Sequence, residues 1–234
     1  MSFLAKALLL GTAIVVSGFA SGVDAVTPKW PSVFSTTYES YWLNTTGKYL
    51  YLEHGSKGPA ERIDFDDGSR DHLCSTFHKN TPCSQLTTQG FRYLHFPEID
   101  DCCKCCTYVE GTYECGGVLS PKWLSNATGN VAYHGIETVR GHACHKWTIV
   151  GLMPEHPNFY WQSVETGLPC GLQGYNYLKT PAERADDQYL FDVDTMRLEA
   201  SESLFQVPEL CKGSRYCGDP VCATGPELDT LALA

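Results

Sequence analysis

The sequence predicts a single all-β domain, an antiparallel meander curled into a half-barrel, stapled by disulfides and carrying one short helix. Three observations lead there. Runs rich in β-branched and aromatic residues recur along the chain, separated by Gly, Pro, Asn and Asp. No segment keeps an apolar stripe at helical spacing. Twelve cysteines form an even set in a chain whose first residues read as a secretory leader.

Lys6 supplies a short positive region, 7–16 is an apolar run without charge, and small residues offer cleavage after Ala20 or Ala25. The run is shorter than the ~20 apolar residues that a membrane span requires, and no later segment could cross. Residues 1–25 are therefore expected to be a signal peptide, 26–222 one disulfide-rich β domain and 223–234 a flexible tail. The tail lacks the long apolar end of a lipid-anchor signal. The expected location is extracellular or the lumen of the secretory pathway. Sequons at Asn44 and Asn126 agree with that route and mark expected surface positions. Roughly 200 mature residues suffice for a sizeable core. Composition is 43% hydrophobic and 12% aromatic, which excludes a disordered chain. A net charge of −10 without any basic cluster argues against nucleic-acid binding.

Taken in order, 33–43 reads as a strand, 44–47 as its turn and 48–54 as a hairpin partner. Asp67-Gly68 between 62–66 and 69–73 is a two-residue hairpin signal. The acidic spacing there fails an EF-hand, because counting back from Gly68 places Ile63 where the first calcium ligand belongs. Residues 74–90 read as loop. Phe91 to Phe96 is a strand stopped by Pro97, and 120–124 suggests one helical turn with Ser at the cap and Pro at the first position. Residues 131–139 and 142–150 form a hairpin about Arg140-Gly141, followed by strands at 158–165, 170–177 and 188–193. About ten strands joined by short turns suggest a meander closing on itself or curling.

The densest feature is Cys102-Cys103-Lys104-Cys105-Cys106. On a strand, Cys103 and Cys105 face one way and Cys102 and Cys106 the other, so each face can bridge a different neighbour. Their partners come from Cys74, Cys83, Cys115, Cys144, Cys170, Cys211, Cys217 and Cys222. The pairing is open, with on the order of ten thousand connectivities. The competing reading is a zinc or copper thiolate site, but tetrahedral sites use two cysteine pairs well separated in sequence. No metal is expected. His142 and His145 flank Cys144 but face opposite sides of a strand, so they cannot chelate one ion.

Hydrolase and phosphate-loop signatures are missing, so no catalytic residue and no cofactor is assigned. What remains is aromatic content on strands. Phe34, Tyr38, Trp42, Tyr93, Trp147, Phe159 and Trp161 are the candidate lining of a concave sheet that would hold an apolar ligand. The alternatives are an extracellular matrix or adhesion glycoprotein acting through its surface, and a secreted enzyme of unrecognised type. A buried carboxylate in a pocket would raise the latter.

The order Phe91–Pro97, Cys102–Cys106, Trp123, then Tyr133-His134-Gly135, Gly141-x-x-Cys144-x-x-Trp147 and Asn158–Trp161, ending in Phe191-Asp192, Phe205-x-x-Pro208 and Cys211, resembles a family. It is similar to the secreted ependymin-like proteins and the LolA-like half-barrel lipoprotein carriers, over roughly residues 30–211. The resemblance implies a half-barrel around an apolar pocket, a hydrophobic or lipid ligand, a homodimer and, in some members, calcium. The doubled Cys-Cys-Lys-Cys-Cys departs from the ependymin pattern, and the lipid-anchoring cysteine of a bacterial carrier is missing.

Overall fold

A computed structural model describes residues 27–41, 43–71, 73–78, 80–107, 118, 124, 131–149, 158–175 and 186–217. The expected leader, Trp42, Asn126, Cys115, Cys222 and the tail lie outside them, as does the predicted turn at 120–124 apart from Leu124.

The chain forms one antiparallel sheet of 11 strands. In chain order they are β1 (Val33–Ser40), β2 (Thr45–Gly55), β3 (Gly58–Phe65), β4 (Cys83–Thr88), β5 (Phe91–Phe96), β6 (Asp101–Thr107), β7 (Val131–Val139), β8 (His142–Ile149), β9 (Asn158–Ser163), β10 (Pro169–Tyr175) and β11 (Asp186–Phe191). In space the order is β6-β5-β4-β3-β2-β1-β11-β10-β9-β8-β7. Two meanders are thus joined where β1 meets β11, in the register Tyr38↔Phe191. The first and last strands become neighbours at the centre, and β6 and β7 become the edges.

The sheet is strongly curled. Tyr51 on β2 and Tyr160 on β9 are four strand spacings apart, about 19 Å on a flat sheet. Yet both rings contact Trp30, at 5.7 and 5.9 Å between centroids. The all-β, disulfide-stapled open sheet matches the sequence expectation.

Alternation sets the two faces. On β1 Phe34, Thr36, Tyr38 and Ser40 are buried while the residues between them are only half covered. Phe34 and Tyr38 point into the concave core with Tyr49, Ile63, Phe65, Leu94, Trp147, Tyr160, Tyr189 and Phe191. Val118 and Leu124, from the segment joining the two edges, also pack on this core. On the convex side the segment after β11 lies over the first meander. Phe205 and Cys211 pack there on Leu50, Ala60, Leu86, Tyr93 and Cys102.

Two local expectations need correction. Asp67-Gly68 does not turn a hairpin. The Asp67 carboxylate accepts from the Ser69 N–H at 2.9 Å and caps a 3-10 turn, and the Gly68 N–H donates to the Thr81 carbonyl at 2.9 Å. That carbonyl leaves no room for a side chain at 68. The chain continues into a short helix, α1 (Cys74–Phe77), where Asp71 accepts from the Leu73 and Cys74 N–H groups. Nor is 74–90 a loop: it contains α1 and β4, whose six residues are all buried. Polar Ser84, Gln85 and Thr87 reach the interior because β4 is covered on both faces, which erases the alternation that marks a strand.

Candidate binding site on the concave face

The concave face has a closed centre and an open end. Trp30 closes the centre, with its ring against Phe34, Tyr49, Tyr51, Tyr160 and Phe191. Its backbone neighbour fixes the approach. The Lys29 N–H donates to Gln162 Oε1 at 2.8 Å, and the Tyr160 hydroxyl donates to the Lys29 carbonyl. A buried Trp of this kind typically contributes ~3–5 kcal/mol against truncation.

One carboxyl is sealed within this centre. Glu61 is 6% exposed and accepts from the Tyr49 hydroxyl at 2.5 Å. Burial pushes its pKa up, while the Tyr49 hydrogen bond and the Arg92 cation pull the other way. Burial likewise raises the Tyr49, Tyr51 and Tyr160 phenols. Glu61 is the kind of group that would favour an enzyme, but Tyr49 and its neighbours close it in.

The open end lies on β7–β9. Trp147 stacks on Tyr160 at 5.9 Å, and Tyr133 and His145 each meet Trp147 at 5.7 Å. The Tyr133 hydroxyl is 2.9 Å from His145 Nδ1. Tyr133 is 47% exposed and Ile136, on the same face of the edge strand, is 60% exposed. A ladder of rings therefore runs from the buried centre to a surface apolar step.

The seven predicted aromatics divide by strand parity. Phe34, Tyr38 and Trp147 lie on the concave face. Tyr93 does not: it neighbours Leu94 on β5 and packs in the convex cluster with Phe205. Phe159 and Trp161 flank Tyr160 and face the convex side, where the Lys146 ammonium lies over both rings at 5.1 and 5.3 Å. Trp42 is outside the described residues. Reasoning from sequence passed over Trp30, Tyr49, Tyr51, Tyr133, Ile136, His145, Tyr160, Tyr189 and Phe191. Parity from Phe34 could have found Tyr49 and Tyr51 by cross-strand pairing, but Trp30 precedes any strand.

Four bridges join described cysteines: Cys74–Cys83, Cys102–Cys211, Cys103–Cys217 and Cys144–Cys170. Cys105 is disulfide-bonded as well, and the Cys106 side chain lies outside the description. Cys102 and Cys103 do bridge on opposite faces, as alternation requires, but both reach one C-terminal segment. Asn44 is exposed in the β1–β2 turn. Among the described residues no group of three or more His, Cys, Asp or Glu could hold a metal ion. No helix among them is long and apolar enough to cross a membrane.

No protein-family profile matches this chain, and comparison with curated proteins finds no match. Among solved structures it is similar to MucB, with a TM-score of 0.42 and 12% identity over 79% of this chain and 60% of that one. The chain thus spans 60% of MucB's length. It is also similar to the lipoprotein LppX of Mycobacterium tuberculosis, with a TM-score of 0.35 and 12% identity over 61% of this chain and 78% of that one. For a LolA superfamily protein from Nitrosomonas europaea the TM-score is 0.27 and the identity 10%, over 76% and 92% of the two chains. At these scores the description of the fold rests on this chain's own strand order.

Proposed function

We propose that this chain is a secreted, ependymin-like glycoprotein that binds a hydrophobic, lipid-like ligand against the concave face of its sheet, without catalysis. One observation carries the reading: the ring ladder Tyr160–Trp147–Tyr133 leads from the sealed centre to the exposed Ile136 step on β7. Trp30 fills the middle of the concavity, so the ligand seats at the β7–β9 end rather than at Phe34 and Tyr38. Apolar area there gains by leaving water, at ~25 cal/mol per Å². Secretion is supported by the four disulfides, which persist in oxidising compartments.

Native mass spectrometry and lipid extraction of protein purified from its secreting host test the reading. Co-purifying lipid, and quenching of tryptophan fluorescence on adding a fatty acid to delipidated protein, are expected. Protein that is always ligand-free and unresponsive to added lipids would overturn it.

A second reading has support from the exposed β7 edge. In a matrix or adhesion glycoprotein this edge would meet a second copy, and self-association without lipid, with or without calcium, would favour that role.

A further inference from the structure

Tyr41 is the most exposed large hydrophobic side chain among the described residues, at 69%. It stands at the end of β1, three residues before Asn44, which opens the sequon Asn44-Thr45-Thr46 in the turn to β2. Asn44 adopts φ +49, a left-handed conformation that Asn tolerates better than most residues. Tyr41 and Asn44 line one depression of about 350 Å³, together with Glu39, Thr46, Asp66 and Asp67. Its volume is that of roughly ten waters, ample for one sugar ring. An exposed ring face beside carboxylates is chemistry suited to a sugar. The apolar C–H face of a pyranose rests on the electron-rich aromatic face, and its hydroxyls donate to carboxylate oxygens.

We propose that Asn44 carries an N-linked glycan whose first sugar is seated on Tyr41 in this depression, covering the ring and bracing the β1–β2 turn. In the attachment, the Asn44 carboxamide nitrogen bonds to the anomeric carbon of a lipid-pyrophosphate-linked oligosaccharide. The bond from that carbon to the pyrophosphate oxygen breaks, the lipid pyrophosphate leaves, and one amide proton is released. In the folded chain the Thr46 hydroxyl donates to Asp66 Oδ2 at 2.6 Å. The hydroxyl that the sequon presents to the transferase is thus engaged once β2 closes on β3, so attachment precedes that closure. The proposal rests on passage through the secretory pathway and is independent of the concave-face ligand.

The test uses the full chain from a glycosylating secretory host. Peptide mass spectrometry should find the glycan on Asn44. An endoglycosidase that leaves one sugar should keep the thermal midpoint, whereas an amidase that removes the whole glycan and converts Asn44 to Asp should lower it by about 2–4 °C. In Tyr41→Ala, whose site is on the surface, the glycan should remain and the amidase-dependent shift should vanish. An unmodified Asn44, an amidase treatment without effect, or a shift that persists in Tyr41→Ala would each overturn the proposal. Binding of free N-acetylglucosamine to unglycosylated Asn44→Asp with the affinity of a true receptor would also overturn it, assigning the depression to a foreign sugar instead.

Discussion

The two edge strands of the sheet are protected by opposite means. At β6, Cys102 bridges to Cys211 on the convex side and Cys103 to Cys217 on the concave side. Next to these bridges the Lys104 N–H donates to the Arg215 carbonyl at 3.0 Å, and the Cys217 N–H donates to the Lys104 carbonyl at 2.9 Å. The C-terminal segment thus passes around the edge and occupies its ladder positions, and His78 holds Asp101 at 2.7 Å at the strand's start. At β7 the described residues supply no such cover. The strand is broken by a bulge between Tyr133 and Ile136, with Gly135 at φ +92, and its outer residues are exposed. A bulge disrupts the template that an open edge offers to other chains. Among the described residues, one edge is closed covalently and the other is uncovered and irregular. Stability and access are thus placed at opposite ends of the same sheet.

Cutting the closed edge should have the largest effect. Replacing Cys102, Cys103, Cys211 and Cys217 by Ser removes both bridges of the clamp, which close nearly the same loop over sequence separations of 109 and 114, and should cost about 4–5 kcal/mol in denaturant unfolding. The same operation on Cys144–Cys170, with a separation of 26, should cost about 3 kcal/mol. Reductant should unfold the protein and a chelator should not. Equal losses for the clamp and for Cys144–Cys170 would remove the distinction between a clamped edge and an ordinary staple.

Next comes the bulge. Gly135→Val places a β-branched residue at positive φ and should destabilise by about 1–3 kcal/mol by the same measurement. If the strand instead straightens, sedimentation will show concentration-dependent association through β7, and the bulge is then the guard of that edge.

Between the edges, Glu61 sets a pH dependence of known sign. Its folded pKa is raised by burial, so its contribution to stability is complete below the ordinary Glu value and is lost as pH rises through the raised value. Glu61→Gln keeps a partner for the Tyr49 hydroxyl and should flatten the stability profile on that side, raising stability at neutral pH. An unchanged profile would mean that the carboxyl titrates normally.

Ile136→Asp should change stability by less than about 0.5 kcal/mol, since the residue is exposed, while abolishing hydrophobic-ligand binding in a fluorescence titration. Retained binding would move the ligand away from the open edge. The smallest effect is expected at the convex side of β7. Lys146 hydrogen-bonds Glu137 at 2.7 Å and holds its carboxyl below the usual range, so that contribution is present above the ordinary Glu value and lost as pH falls through the lowered one. The pair is partly exposed, and Lys146→Met should cost no more than about 0.5 kcal/mol.

Much of the fold was legible because hairpins are local. The run from Val131 to Val139, the Arg140-Gly141 turn and the run from His142 announce β7 and β8 directly, and β5 ends at Pro97 as expected. β4 was hidden because Ser84, Gln85 and Thr87 are polar yet buried, each facing a covered side of the sheet. Asp67-Gly68 misled because the Asp side chain was spent on a cap rather than on a hairpin turn. Of the seven aromatics singled out in the sequence, Phe34, Tyr38 and Trp147 share the concave face. Tyr93, Phe159 and Trp161 were assigned to the same face because aromaticity alone does not report parity between strands.

By itself the sequence determined the strand periods, most of the turns, the opposite-face arrangement of Cys102 and Cys103 and the all-β class, since each depends on residues within a few positions of one another. Only the tertiary structure decided that β1 pairs with β11, that Trp30 plugs the concavity and that Cys211 and Cys217 wrap the β6 edge. Each brings together segments more than a hundred residues apart, as Trp30 does with Tyr160 and Phe191 besides its nearer neighbours, and their selection depends on how whole faces pack rather than on any local preference.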